Sequence, residues 1–365
     1  MDKRVSVTVI APDGETSPYI PKLLECLGSN SIRYQRWVWL QGASQIDSIK
    51  CPDISYQRKG CDLPLLSYLK WMSWVFLRTL RNTDRTLYFC SRFDAAFPVA
   101  LASLFRRRKY IFANRDNILL SYRWPRGFCK IVELLQKWVA SRALIHLLPD
   151  SCQFEGPNHN LAAIPNCPSQ ALLKKAGEIA RVQKYHRPEW PFVIYINGWL
   201  STTRGLGMIC EALERLRHLD LELVVAGRAL DVDHPLRKLA NVKHLGKLSP
   251  EESLAQYYRS HLVPVLYDPN IPVNRVACPN KLYDCISTAT PFITNIEMLT
   301  ARPFVDDGAC IAVPYGNGES LATAIESLAT QRGDWESVRR AQLAIDLEPW
   351  DVQMKDLIRT ALCAD

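Results

Sequence analysis

Three stretches of the chain carry residue types and spacings suited to handling an anion or moving a proton. The first runs from the apolar strand Phe192-Val-Ile-Tyr-Ile196 through Asn197-Gly198-Trp199-Leu200 and Ser201-Thr202-Thr203-Arg204-Gly205 into an apolar helix. A glycine where a strand hands over to a helix lets a ligand approach the backbone. The helix start favours negative charge through its free N–H groups and its dipole. Arg204 at that mouth supplies a planar fork that matches phosphate oxygens. The same residues also read as an ordinary turn with a solvated arginine. Gly205-Leu206-Gly207 is not a dinucleotide fingerprint, because Cys210 stands where the third glycine belongs.

The second stretch is Cys278-Pro279-Asn280-Lys281-Leu282-Tyr283-Asp284-Cys285-Ile286. Pro279 suits a first helical turn, and such a start faces the carboxyl end of a strand. Lys281 is misplaced for helix stability there, since the dipole prefers acids, unless an anion joins it. Asp284, one turn on, could accept hydrogen bonds from ribose hydroxyls. The alternative is a solvated lysine and aspartate. In the third stretch the strand Lys109–Ala113 ends in Asn114-Arg115-Asp116-Asn117. A carboxylate just past a buried strand points into the crevice where open α/β sheets bind ligands, and Asp116 is placed to act as a base. It reads equally well as the cap of the following turn. Asp94, ahead of Ala95-Ala-Phe, reads as a helix N-cap.

The elements that must position these residues alternate. In the first half, strands at Val5–Ile10, Arg33–Leu40, Thr86–Phe93, Lys109–Ala113 and Leu144–Leu148 alternate with helices at Ser17–Leu27, Leu63–Leu80, Ala95–Phe105 and Phe128–Ala143. That rhythm predicts a mostly parallel, doubly wound sheet. It breaks around Pro165-Asn-Cys-Pro168 and restarts at Phe192, with further strands at Leu221–Ala226, Val242–Leu245, Leu262–Leu266 and Phe292–Thr294. The expected organisation is therefore a Rossmann-like domain over 1–168, a linker over 169–190 and a second such domain over 191–340. A tail over 341–365 would follow, its helix packing back toward the first domain.

Length agrees, since 365 residues at roughly 150 per domain suggest two. With 48% hydrophobic and 22% charged residues the chain can bury a large core, which excludes a disordered protein. Charge is uneven: residues 1–170 hold 23 basic and 13 acidic residues, hence +10, whereas 171–365 hold 22 and 24, hence −2. A positive first half suits an anionic surface or substrate, or is a merely solvated basic face. Arg106-Arg107-Arg108-Lys109 is a compact basic block, while Lys130, Lys137, Arg142 and Trp138 decorate one helix and Lys70, Trp71 and Trp74 another. Basic residues beside tryptophans suit a membrane interface. Core packing for the tryptophans is the competing reading. No run approaches the ~18 apolar residues of a spanning helix, so membrane contact is expected to be peripheral. Twelve cysteines without a C-x-x-C pair point to a reducing cytoplasm, and the seven histidines show no metal-ligand spacing.

Taken in order, Gly198 to Gly205, Val225-Ala-Gly-Arg228, Asn241-Val-Lys-His-Leu-Gly-Lys247 and Pro279-Asn-Lys-Leu-Tyr-Asp284 resemble a glycosyltransferase of the GT-B fold. They are most similar to the large family 4 of retaining enzymes. The resemblance implies two Rossmann-like domains facing an interdomain cleft, with no metal or other cofactor beyond a UDP- or GDP-linked sugar donor. It implies that Gly198 and Arg204 meet the donor diphosphate, with Lys281 supplying a second cation because Trp199 replaces the family's basic residue. Gly227, Arg228, Gly246 and Lys247 would lie beside the nucleotide, Asn280 and Lys281 would open the donor helix, and Asp284 would take the ribose position. One departure stands out: Val276 occupies the place of the family's glutamate near the donor sugar, with Asn274 and Asp268 as candidate substitutes. In the first domain Asp116 resembles, in placement, the base of xanthan-type glucuronosyltransferases. The implied role is transfer of one sugar to a saccharide or polyprenyl-diphosphate-linked acceptor in bacterial exopolysaccharide, capsule or O-antigen assembly at the cytoplasmic membrane face. No nucleic-acid partner is implied. A nucleotide-sugar epimerase of the same fold and a catalytically silent GT-B subunit are the rival readings.

Overall fold

A computed structural model describes residues 7–12, 19–40, 54–57, 64–115, 126–154, 159–182, 191–198, 200–227, 236 and 241–364. The chain forms two compact units, one of Met1–Pro165 with Asp351–Asp365 and one of Asn166–Trp350.

In the first unit seven parallel strands are β1 (Val7–Ala11), β2 (Tyr34–Leu40), β3 (Ile54–Gln57), β4 (Leu87–Ser91), β5 (Tyr110–Ala113), β6 (Ile145–Leu148) and β7 (Leu161–Ala163). They lie in the order β3-β2-β1-β4-β5-β6-β7. Strands β1, β4 and β5 are buried along their whole length, as befits a parallel sheet covered on both faces. One face is covered by the helices Pro64–Arg81, Phe93–Ala102 and Arg126–Arg142, which bury Trp71, Val75, Ala96, Val99, Val139 and Ala140 against Trp37, Tyr88, Tyr110 and Phe112. Trp71 is fully buried and stacks on Trp39 and Trp74 at 5.7 and 5.4 Å between ring centres. Trp71 and Trp74 are therefore core aromatics rather than a membrane-facing pair, because the helical period turns them toward the sheet. The final helix, Trp350–Cys363, runs on into this unit, where the Asp351 carbonyl accepts a bond from the Cys26 thiol.

In the second unit β8 (Phe192–Gly198), β9 (Leu221–Gly227) and β10 (Val242–Gly246) lie in the order β10-β9-β8, and β11 (Val263–Val265), β12 (Phe292–Asn295) and β13 (Ile311–Val313) follow in that order. A parallel bridge between Ile194 and Leu262, with Tyr195 N donating to Leu262 O at 2.9 Å, joins β8 to the lead-in of β11. The resulting order, third-second-first-fourth-fifth-sixth, is that of a Rossmann-type sheet with a switch point between β8 and β11. Its core is aliphatic, built on Ile194, Ile196, Ile209, Leu223, Val225 and Leu266. The expected linker differs: Gln170–Val182 is a helix of this unit, anchored where Arg259 donates to the Ile179 carbonyl. Its polar, basic composition is that of a solvated helix face with Ala176 turned inward, which the pattern of proline beyond it disguised.

Candidate functional site

At the carboxyl edge of the second sheet, β8 and β9 end together on Gly198 and Gly227 in register. Gly227 has φ 156°, and a Cβ there would come within 2.6 Å of the Gly198 carbonyl oxygen. Only glycine fits that approach. Past β8 the chain turns through a 3-10 segment, Thr202–Arg204, fastened from several sides. Ser201 Oγ and Thr203 Oγ1 share a 2.8 Å bond, Asp268 N donates to Thr203 O at 3.1 Å, and the Tyr315 hydroxyl donates to Thr202 O at 2.9 Å. Gly205 closes the turn at φ 71° and opens the helix Leu206–Arg215, which has no side-chain cap on its first amides. A Cβ on Gly205 would sit 2.6 Å from Leu266 Cβ, so this glycine sets how closely the turn approaches the switch point.

That rigid turn aims Arg204. Its guanidinium donates to Asn274 Oδ1 at 3.2 Å and stacks 3.8 Å from the ring centre of Tyr267, just past β11. Asn274 is buried, and its amide donates in turn to the Asp268 carbonyl at 2.9 Å. Both polar ends of Asn274 are thus engaged. The side chain holds Arg204 in place.

Lys281, in the first turn of the helix Asn280–Thr288, lies over Gly198, with its Cε 3.9 Å from where a Cβ would be. Burial, and then the Arg204 charge, pull its pKa down from 10.5 to about 8. Arg204 and Lys281 border a small open cleft, together with Ser201 and the apolar Ile196, Leu206 and Leu266. Among the described residues neither cation makes an ion pair. Two partly desolvated cations converge here on a strand-to-helix junction, an arrangement suited to binding an anion.

Asp284 sits one turn beyond Lys281. Its charge lies close enough to raise the hydroxyl pKa values of Tyr257 and Tyr195, though burial is the larger cause in both. Below it Tyr257 donates to Asn197 Oδ1, and the Asn197 amide to Ser253 Oγ, fixing the end of β8. Asn280 is exposed at the helix start. Gly246 ends β10 at φ 68°, paired with Ala226, and Lys247 follows it into solvent. This places them on the same edge, two strands from Gly198 and so roughly 10 Å away. No hydrogen bond or ion pair among the described residues joins Lys247 to Arg204 or Lys281. Arg228, Trp199 and Asp116 lie outside the described residues.

Tyr267 and Tyr315 were not singled out from the sequence. Tyr267 could have been, since it follows the strand at the switch point. Tyr315 arrives from 110 residues beyond Gly205, and nothing local announces it.

The first unit's carboxyl edge is differently made. The helix Phe93–Ala102 is preceded by Arg92 in the left-handed region (φ 77°), so Arg92, not Asp94, occupies the N-cap. Asp94 is buried in the first turn, where Arg92 Nε approaches its Oδ1 at 3.5 Å. Asn114 Nδ2 lies 3.4 Å from Nε2 of buried His146, whose pKa burial lowers to about 4, and Arg115 stacks 4.6 Å from the Tyr19 ring centre. The described residues contain no group of His, Cys, Asp and Glu able to hold a metal, and no described helix is long and apolar enough to cross a membrane.

No protein-family model matches the chain, and no curated relative matches by sequence. Solved structures do match by shape. Anabaena HepE in complex with UDP and glucose superposes with a TM-score of 0.68 at 15% identity, over 99% of this chain and 100% of that one. Sucrose-phosphate synthase from Thermosynechococcus elongatus gives 0.68 at 14%, over 99% and 100%. A UDP-N-acetylglucosamine 2-epimerase gives 0.61 at 12%, over 98% and 95%. Such likeness establishes the fold: two Rossmann-like domains of the GT-B type.

Proposed function

We propose that this GT-B chain is a glycosyltransferase that binds a nucleoside-diphosphate sugar, UDP- or GDP-linked, on its second unit and transfers the sugar to a saccharide acceptor held by the first. The observation that carries the reading is the pair Arg204 and Lys281, which line one cleft and make no ion pair among the described residues. A diphosphate is an anion that two such cations can bind together. In this reading the family 4 resemblance supplies the remaining roles. Gly227, Arg228, Gly246, Lys247 and Asn280 line the nucleotide, Asp284 binds the ribose, and Asp116 takes the acceptor's hydroxyl proton. As the bond from sugar to diphosphate breaks, negative charge grows on the leaving group, and Arg204, Lys281 and the uncapped first turn of the helix Leu206–Arg215 stabilise it there. The donor is the only small molecule the reaction needs besides the acceptor. That acceptor is a lipid-linked saccharide of bacterial surface-polysaccharide assembly, such as exopolysaccharide, capsule or O-antigen, consistent with the positive first half.

The UDP- and glucose-containing neighbour supports the donor class, and the epimerase neighbour supports a second reading, since both solved structures share this fold. Calorimetry with UDP, GDP, ADP, CMP and NAD on the full chain tests the proposal. One nucleoside diphosphate is expected to bind selectively, and Arg204→Ala to weaken it on the order of 30-fold, or about 2 kcal/mol. Binding to none of them, or to NAD alone, removes the donor site. Conversion of the UDP-sugar to an epimer without any acceptor would assign the epimerase reading instead.

A further inference from the structure

We infer that the outward face of the helix layer Pro64–Arg81, Phe93–Ala102 and Arg126–Arg142 is a docking surface for an anionic lipid bilayer. The observations are independent of the donor site. Of the thirteen large apolar side chains exposed among the described residues, nine sit on these helices or on the turn after the middle one. Phe105 is 72% exposed, Leu134 67% and Phe128 57%. All three helices turn their opposite sides into one core, so their outer sides share one surface. Phe105 continues that surface from the middle helix, its ring 6.2 Å from Phe76 on the first.

The helix Arg126–Arg142 has its apolar residues on both sides. Val132, Val139 and Ala140 are buried. Trp138 packs inward against Phe97, but at 100° per residue the exposed Phe128, Ile131, Leu134 and Leu135 fall within about 120° of arc centred opposite Ala140, and Lys130 and Lys137 flank that arc along one border. A soluble helix turns one apolar stripe inward; a second stripe turned outward needs a partner.

Charge identifies the partner. Residues 64–81, 103–109 and 126–142 hold eleven basic residues and one acidic, a net +10, which equals the whole excess of residues 1–170. A second copy of the chain docking this face on itself would set basic residues against basic residues, which a two-fold interface cannot relieve. A nucleic acid would match the charge but leave aliphatic side chains facing a polar backbone. An anionic bilayer satisfies both features, with the apolar groups at the headgroup boundary and the lysines and arginines among the lipid phosphates. Helices of a parallel sheet run back against the strands, so Phe128 and Leu69, early in their helices, lie toward the strands' carboxyl edge. There the proposed lipid-linked acceptor would enter, and that connection alone rests on the proposed function.

Co-sedimentation of the full chain with vesicles tests the surface. Binding is expected with vesicles of phosphatidylcholine and roughly 30 mol% phosphatidylglycerol, and at least about tenfold weaker binding with phosphatidylcholine alone or in about 0.5 M NaCl. The triple variant Phe128→Ser/Ile131→Ser/Leu134→Ser and the set Arg106→Gln/Arg107→Gln/Lys130→Gln should each lose about tenfold on anionic vesicles, with unchanged thermal unfolding and UDP affinity. Undiminished vesicle binding by both variants overturns the assignment, as does failure of the wild-type chain to sediment. A dimer dissociated by the serine variant would give the face to a second copy, and retention on duplex DNA without vesicle binding would give it to nucleic acid. Loss of UDP binding with vesicle binding intact would strike the donor reading and leave this surface standing.

Discussion

In the second unit, β8 and β9 end on two glycines whose backbones nearly touch, and Lys281 lies over Gly198 in a cleft that Arg204 also lines. In the first unit the equivalent edge ends on Ser91 and Ala113, in register on β4 and β5, and the charged groups beyond them engage one another: Arg92 approaches Asp94, and Arg115 covers Tyr19. Most of the positive charge of that unit lies elsewhere, along the helices Pro64–Arg81 and Arg126–Arg142 and the block Arg106–Lys109. The two units share a strand order, so topology fixes where a crevice opens in each. It does not fix whether the crevice holds charge in waiting. The second unit brings two cations together at its edge in a nearly neutral half, while the described edge of the first sets Arg92 against Asp94 and Arg115 against Tyr19.

Removing the glycine that lets β8 and β9 meet breaks this contrast most severely. Gly227→Ala puts a Cβ at 2.6 Å from a backbone oxygen, where no side chain can swing away, in a φ range that L residues rarely adopt. A cost of about 3 kcal/mol or more is expected, together with loss of nucleoside-diphosphate binding. Gly28→Ala in the first unit's helix Tyr19–Ser29 is the control, since no atom lies within 4 Å of the added methyl. It should be neutral or stabilising by up to about 1 kcal/mol. Circular-dichroism melting of both variants decides. Equal melting temperatures would mean the strand ends can part without consequence.

Lys281→Met separates stability from binding at the same edge. The lysine's folded-state pKa of about 8 lies below its ordinary 10.5, so between those values the unfolded chain binds the extra proton. The charged ammonium therefore costs stability in full below pH 8, and that cost fades as pH rises toward 10.5. Methionine fills similar space without charge. At pH 7 the ligand-free variant should melt higher than the wild type, and the difference should shrink with rising pH. Its UDP affinity should fall about tenfold or more. Wild-type affinity should also decline above pH 8 as the ammonium loses its proton. A variant that melts lower and binds UDP normally would make Lys281 an ordinary packing residue.

The legibility of the two units differs for physical reasons. Long buried strands such as Val7–Ala11 and Phe192–Gly198 announce themselves by unbroken β-branched and aromatic residues, and Gly198, Arg204 and Lys281 could be read because strand-to-helix junctions constrain their residues locally. Short edge strands could not: β3 and β7 have four and three residues and too little pattern to show. The helices Gly318–Thr330 and Arg332–Ala344 fall between the strand at Phe292 and the tail helix, where no element was read from the sequence. Trp71 and Trp74 were ambiguous for a different reason, since a basic helix with tryptophans fits a membrane face or a core, and only the sheet behind it decides. The outward Phe128, Ile131 and Leu134 were in plain view as apolar residues. Their exposure depends on which side of the helix Val139 and Ala140 claim, a fact of packing and not of spacing.

The smallest expected effect tests how the second unit's edge is held. Asn274 accepts from Arg204 and donates to the Asp268 carbonyl, so it is a positioning residue that acts through Arg204. Asn274→Ala removes one hydrogen bond to a charged group. UDP affinity should drop about fivefold, near 1 kcal/mol, while kcat at saturating donor stays close to wild type. Asn274→Asp sharpens the point. A carboxylate there would bind Arg204 more strongly and neutralise the charge meant for the diphosphate, so UDP affinity should fall again rather than recover. Had Asn274 served as the missing glutamate beside the donor sugar, the aspartate would restore turnover and leave UDP, which carries no sugar, unaffected. Measuring both variants with UDP and with the UDP-sugar therefore separates a residue that touches the sugar from one that aims the arginine.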